Sequence, residues 1–359
     1  MKNEFSSVFE GPVCPLPLSH NEKIVMGHGS GGKMTQNLID FVFKPCLESE
    51  YIKAGNDFGK MPFPLPSQMQ GKIIVSTDSH IVSPLIFPGG DIGRLSVCGT
   101  VNDVSMSGAI PLYLSAGFIL EEGLPIETLK LILNSMHAAA KESGVQFVAG
   151  DTKVTEKGKG DGIFICTTGI GWLPEGINIG GENAKPGDVV IISGTLGDHG
   201  IAVLSARGEM GFTSDIKSDI APLNQMIQNL INAVPDVHVL RDPTRGGLAT
   251  TLNEIATQSN VNIILDETKI PVRPAVRTVC EMLGFDPLYV ANEGKVIVIV
   301  PASSAEAALS SLHQNIYGSD AIQIGIVGEN PKKRVLLKTY IGGTRILDTL
   351  SGEMLPRIC

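Results

Sequence analysis

Along this chain, short runs of β-branched and apolar residues alternate with longer stretches of helical period, and Gly or Pro punctuates most junctions. The first half opens on a turn-rich glycine loop, Val25–Lys33, which leads into a helix predicted from Met34 to about Phe43. Residues 55–67, with Pro62, Pro64 and Pro66, predict a surface loop. The β-rich run Lys72–Thr77 predicts a strand that delivers Asp78 at its end. Asp91–Gly108 reads as a helix, Pro111–Ile119 as a strand, and Pro125–Ser143 as a long amphipathic helix closed by Gly144. Val145–Val148 is a short strand ending in Ala149-Gly150-Asp151-Thr152, and Ile163–Gly171 is another. Residues 173–186, rich in Gly, Pro and Asn, mark a boundary. Beyond it, helices near 199–207, 222–233, 246–257, 273–283 and 304–316 alternate with strands at 189–193, 261–265, 295–300 and 322–327.

Two such halves predict an α/β (α+β) protein with two domains of ~150 residues each. The divisions fall at an extension 1–22, an N-terminal domain 23–172, a C-terminal domain 183–340 and a tail 341–359. The tail has isolated apolar positions, Gly352 and Pro356, and predicts a mobile strap rather than a packed element. It finishes in Cys359. Ten extended residues reach ~33 Å, enough to carry a thiolate from the surface into a cleft. The same residues would also make a frayed end that happens to finish in Cys.

Composition narrows the classes. At 359 residues the chain is too long for one ordinary core, and 43% hydrophobic residues with 41 glycines suit a glycine-rich globular enzyme. A net charge of −9 without a Lys/Arg block argues against a nucleic-acid groove or an anionic membrane surface. No apolar run approaches the ~18 residues of a membrane span, and residues 1–22 lack the pattern of a signal peptide. Six cysteines with no CxxC pair read as reduced thiols of a cytoplasmic protein.

Three acidic positions in the first half fall where chemistry usually sits: Asp78 and Asp151 at strand ends, and Asp103, beside Asn102, inside an otherwise apolar helix. Hard carboxylate oxygens beside small residues suit Mg²⁺ completed by substrate phosphates. Each Asp alone would equally serve as a cap or turn former. The loop Gly27-His28-Gly29-Ser30-Gly31-Gly32-Lys33 is not a Walker motif, because Met34 follows the lysine. Its backbone N–H groups could cradle phosphate with Lys33 as a point charge; a plain tight turn fits the same residues. Arg241-Asp242-Pro243-Thr244-Arg245-Gly246-Gly247 repeats the logic with an acid, two guanidinium groups and a Gly-Gly helix entry. An Arg–Asp surface pair with a helix cap is the alternative there.

Together these stretches resemble the HypE family of hydrogenase maturation factors. The resemblance rests on residues 27–33, Thr77-Asp78-Ser79-His80, 87–93, 98–109, 150–154, 241–248, Asn292-Glu293-Gly294-Lys295 and the terminal Pro356-Arg357-Ile358-Cys359. It implies the two-domain fold of aminoimidazole ribonucleotide synthetases, binding ATP and dimerising through strands of the N-terminal half. It also implies that the substrate is the chain's own Cys359, loaded with a carbamoyl group by the carbamoyltransferase HypF. ATP then drives dehydration to a thiocyanate, and the nitrile passes to iron on a HypC–HypD complex as a cyanide ligand of [NiFe]-hydrogenase.

That chemistry asks for particular residues. Oxide leaves carbon only after phosphorylation, so Mg²⁺ on Asp78, Asp103 and Asp242 would face the ATP phosphates. Nucleotide contacts are expected from Gly31, Gly32, Lys33, Asn102, Asp151, Thr152 and Arg245. Two protons must leave nitrogen, with Glu293 as the first choice of base and Lys153 to polarise the carbamoyl oxygen or hold phosphate. Glu293 would also serve as a turn residue before a strand. Two further readings fit the chain: a synthetase or kinase of the same fold acting on a diffusible substrate, and a nucleotide-gated scaffold.

Overall fold

A computed structural model describes residues 32–38, 40, 59–62, 70–208, 215–329, 332–350, 352 and 358. Helix α1 spans Lys33–Leu38, β1 Gly59–Pro62 and β2 Gly71–His80. After the two-residue strands β3 (Ile86–Phe87) and β4 (Gly90–Asp91) come α2 (Ile92–Ser105), β5 (Ile110–Glu121), α3 (Ile126–Ser143), β6 (Gln146–Thr155) and β7 (Ile163–Pro174). The second half holds β8 (Val189–Ile192), α4 (Asp198–Ala206), α5 (Asn224–Ala233), β9 (Val239–Arg241), α6 (Gly247–Gln258) and β10 (Asn262–Asp266). It closes with α7 (Pro274–Leu283), β11 (Ile297–Val300), α8 (Ala305–His313), β12 (Ile322–Gly328), β13 (Val335–Lys338) and β14 (Thr344–Leu347).

The first half is a five-stranded sheet in the order β1-β2-β7-β5-β6. Buried residues of β7 alternate with half-buried or exposed ones, as expected where helices cover one face of a sheet. Helix α2 is buried on nearly every side, its small polar residues included, because it lies between this sheet and the second half. Asp91 caps it by accepting the N–H groups of Gly93 and Arg94. The helix comes so close to β7 that a Cβ on Gly171 would stand 2.4 Å from Val104.

The second half is a seven-stranded sheet in the order β14-β13-β10-β12-β8-β11-β9. Strands β8 and β11 are buried on both faces, and their continuous Val/Ile runs follow from that. Alternate residues feed opposite cores. Val189 and Ile191 pack with Met226 and Leu230 of α5, whereas Val190 and Ile192 pack with Leu252 and Ile255 of α6. The α5 core also takes in Ile74, Val104 and Met106 from the first half. A third cluster joins Leu95 and Val101 of α2 to Ile201 of α4 and Val276 of α7. The two halves therefore share their cores.

Several expectations need correction. Residues 59–62, expected within a loop, form an edge strand antiparallel to β2, where an edge tolerates Pro62. Asp78 and Asp151 lie inside their strands rather than at the ends, since ladder pairing runs on to His80 and to Thr155. Thr344–Leu347, expected in the mobile tail, pairs with β13 and buries Leu347 completely. At Ile358 the expected free strap is instead docked: the residue bridges to Val82 and is 7% exposed. No described helix is long and apolar enough to cross a membrane.

Candidate active site

The site is built where α2 meets the loops of the second half. Asn102, in the last turns of α2, is 2% exposed. Its Nδ2 donates to the Ala221 carbonyl at 3.0 Å and its Oδ1 accepts the Leu223 N–H at 2.8 Å. The carboxamide expected to touch nucleotide thus pins segment 216–223 onto α2, a joining role. Asn102→Ala would leave both backbone groups buried without partners and should cost about 3 kcal/mol, read as a lower denaturant midpoint with an unchanged slope. Next to it, Asp103 accepts the Ser76 hydroxyl at 2.9 Å. Asp78 is half-buried on the same strand, with its Oδ2 3.5 Å from His80 Nε2, and it faces Gly99 of α2, where a Cβ would stand 3.4 Å from that Oδ2 and 3.1 Å from the His80 ring.

Across from these carboxylates lies Glu293, 5% exposed. Its own N–H donates to Asp219 Oδ1 at 3.1 Å. The next residue must be Gly, because a Cβ on Gly294 would fall 1.8 Å from the Asp219 carbonyl oxygen. Asn292, fully buried, accepts the Gly197 N–H and donates to the carbonyls of Pro243 and Val290, so the loop is fixed from three sides. Burial, and then Asp78, Asp242 and Asp219, push the Glu293 carboxyl well above the usual carboxylate range, with Arg245 opposing them. Its Oε1 is buried and makes no hydrogen bond among the described residues. A buried acid with that charge environment is a candidate proton acceptor. Beside it, Lys295 Nζ stands 3.1 Å from Asp219 Oδ2. Burial raises Asp219, yet Lys295, His199 and the Glu293 N–H outweigh it and hold that carboxyl below its ordinary value.

The segment after β9 supplies the next group. Asp242 is 8% exposed, Arg245 is exposed, and Gly246 opens α6 from the left-handed conformation, at φ 75°. Arg241 instead turns back to Glu254 at 2.6 Å. The end of the glycine loop rests against α6 by way of the chain beyond β14. Lys33 N–H donates to the Leu350 carbonyl at 2.9 Å, and its Nζ lies 3.6 Å from Asp348. A Cβ on Gly32 would meet that same carbonyl oxygen at 2.3 Å. Gly31 and Cys359 lie outside the described residues. Asp151, Thr152 and Lys153 are described only as main chain of β6, the edge strand.

The tail reaches this site at Ile358. Its carbonyl is 2.5 Å from His199 Nε2, near the start of α4, and His199 Nδ1 is 2.8 Å from Ser218 Oγ. The residue after Ser218 is Asp219, which holds the Glu293 backbone. The structure therefore brings Asp78, Asp242 and Arg245 close enough for their charges to act on Glu293, and runs the chain to Ile358 at the segment behind them. No group of three or more His, Cys, Asp or Glu side chains among the described residues forms a closed metal site. His199, Ser218, Asp219 and Lys295 were not expected as site residues. Lys295 and Asn292 stand in the motif around Glu293 and could have been found there.

Comparison with known proteins gives the chain its relatives. Residues 64–173 match the N-terminal domain of AIR synthase related proteins and residues 185–338 the C-terminal domain. Carbamoyl dehydratase HypE of Cupriavidus necator is 52% identical over 337 residues, covering 94% of this chain and 95% of that protein. A crystal structure of a HypE–HypF complex contains a chain 52% identical to this one, at a TM-score of 0.81, covering 87% of this chain and 99% of that one. HypE crystallised in complex with ATP is 48% identical at a TM-score of 0.78, covering 92% and 98%.

Proposed function

We propose, for a chain that belongs to the HypE family of carbamoyl dehydratases, that it uses ATP to dehydrate a carbamoyl group carried on its own Cys359. The protein is an enzyme of hydrogenase maturation. Its substrate is the S-carbamoyl group placed on Cys359 by a HypF-type carbamoyltransferase, and its product is S-cyanocysteine, a source of cyanide ligands for [NiFe]-hydrogenase. The observation that carries this reading is the seat of Ile358, one residue before Cys359, on His199 behind Glu293.

The step balances as follows. The carbamoyl oxygen attacks the γ-phosphorus of ATP, the bond from phosphorus to ADP breaks, and one proton leaves nitrogen. The phosphorylated imidate then loses its second N–H proton as the C–O bond breaks, giving S–C≡N and inorganic phosphate. Glu293 is the base that takes a proton from nitrogen, and burial with the neighbouring carboxylates raises its affinity for that proton above an ordinary glutamate's. Lys153, on β6, would polarise the carbamoyl oxygen or hold phosphate. Arg245, Lys33 and the amides of the glycine loop would contact the nucleotide's phosphates. Attaching the substrate to the enzyme makes the reaction intramolecular.

The carboxylates of Asp78 and Asp242 beside Glu293, whose own buried Oε1 makes no hydrogen bond among the described residues, are a donor set that fits a divalent cation. Asp78, Asp103 and Asp242 would hold Mg²⁺, which when bound supplies neutralisation of charge on the phosphoryl oxygens. The first-half sheet exposes Tyr113, Ile119, Phe147 and Val148, an apolar set that supports dimerisation through those strands. Delivery of cyanide to iron would involve a HypC–HypD complex, and the soluble chemistry of the site suits the cytoplasm.

Oxygen isotope transfer tests the mechanism. Protein loaded with an ¹⁸O-labelled carbamoyl group should release the label in inorganic phosphate after one turnover. Label in bulk water with unlabelled phosphate would show that the carbamoyl oxygen never reaches phosphorus.

A further inference from the structure

His199 has no part in the chemistry above, yet its surroundings are fully specified. The ring is 0% exposed, and Phe87 stands edge-on to it at a centroid distance of 5.6 Å. A buried imidazole needs partners for both nitrogens. Nε2 faces the carbonyl of Ile358, which only accepts, so Nε2 carries the proton. Nδ1 therefore accepts from Ser218 Oγ, whose oxygen also takes the Ile220 N–H at 3.2 Å. One partner is thus local and permanent, and the other comes from the end of the chain, 159 positions away.

We propose that His199 is a positioning residue for the tail: its Nε2–H seats the Ile358 main-chain carbonyl and so fixes where the next residue, Cys359, can reach. This rests on the reading of Cys359 as carrier of the carbamoyl group. The latch recognises a backbone carbonyl, so it reads position along the chain, while the Ile358 side chain adds apolar contact in the core with Val82. Its foundation is also the foundation of the base. Ser218 anchors the His199 ring at Nδ1, and Asp219, the next residue, accepts the Glu293 N–H. Tail seat and proton acceptor are consequently held in one register by consecutive residues. With the tail withdrawn, the buried Nε2–H loses its acceptor, which favours re-docking over the open state.

The test uses the full chain with His199→Leu, His199→Gln and Ser218→Ala. Hydrogen exchange is read in the peptides containing Val82 and Ile358, and dehydration is read by intact mass in a single turnover of carbamoylated protein with ATP. His199→Leu should lose protection in both peptides and dehydrate about tenfold or more slowly, while loading by the carbamoyltransferase is not slowed. His199→Gln, whose amide can donate from nearly the same point, should recover most of both. Ser218→Ala should shift exchange in the same direction, and it decides the matter if His199→Leu does not fold. Wild-type protection in His199→Leu, or a His199→Gln as impaired as His199→Leu, would overturn the proposal. If wild-type protein never gains a carbamoyl group on its C-terminal peptide, the Cys359 reading falls, and the exchange comparison still decides whether His199 seats the tail.

Discussion

Cys359→Ala should take up no carbamoyl group from the carbamoyltransferase and show no ATP-dependent loss of water, while keeping its fold and its affinity for nucleotide. The argument begins with the other thiols. Cys98 is fully buried, and burial pushes it up to about 12, so at neutral pH it is a small core hydrophobe. Cys280 is raised to about 11 by burial and by Asp286. Both lack the accessible thiolate that acyl transfer requires. Cys166 is exposed on β7, but its strand pairs it with Ser79 and Gly117 far along a fixed ladder, with no freedom to visit a second protein. None of these three described thiols combines accessibility with freedom to move, whereas the residue before Cys359 is seated on His199, close to Asp219; Cys14 and Cys46 lie outside the described residues. Intact mass before and after loading, and again after ATP, follows both steps, and peptide mapping locates them. Modification found on the peptide of Cys98, Cys166 or Cys280 would defeat the assignment.

The second large effect is on Glu293. Glu293→Gln keeps the volume and the hydrogen-bonding edge but removes the base, so single-turnover dehydration should fall about a hundredfold or more, with loading of Cys359 unaffected. The same variant should change how stability depends on pH, and the direction is fixed. An acid whose affinity for protons is raised by folding binds more protons in the native than in the unfolded state between the two pKa values. Stability contributed by the protonated form is complete below the unfolded value, the usual 4.5, and is lost as pH rises through the raised folded value. Nucleotide-free wild type should therefore lose melting temperature on going from about pH 5 to pH 8 by a component that Glu293→Gln lacks. Parallel melting profiles for the two proteins would remove Glu293 from the role of buried acid, whatever the rates.

Much of the fold was legible because local signals and burial agree. Helix α3 begins after Pro125 and ends at Gly144, whose φ of 73° is the left-handed cap that glycine supplies. The Val/Ile run of β11 reads as a strand because it is buried on both faces. Strands β13 and β14 were hidden because their signal is non-local: Val335–Lys338 gains its partners from β10 and from a hairpin through Gly342. The acidic residues and Glu293 stood out from an apolar or glycine-rich background. His199 did not, because a lone histidine near a helix start has no pattern, and its two partners lie 19 and 159 positions away. Asn102 was visible as a polar intrusion in α2. Its use could not be read from sequence, since the groups it satisfies are main-chain atoms of residues 221 and 223, and every residue type offers those.

The sharing of cores between the halves has a consequence for cooperativity. Ile74, Val104 and Met106 of the first half are packed with Met226 and Leu230 of the second, and Leu95 is packed with Ile201 and Val276. Neither half closes its own apolar interior, so separating them would expose both clusters to water at once. The unit that folds is thus the whole body of the chain, even though sequence and family models divide it in two. A defect in either sheet weakens the seat of Gly32 and Lys33 and that of Ile358 alike, so what happens at the docked tail depends on the integrity of residues that never approach it.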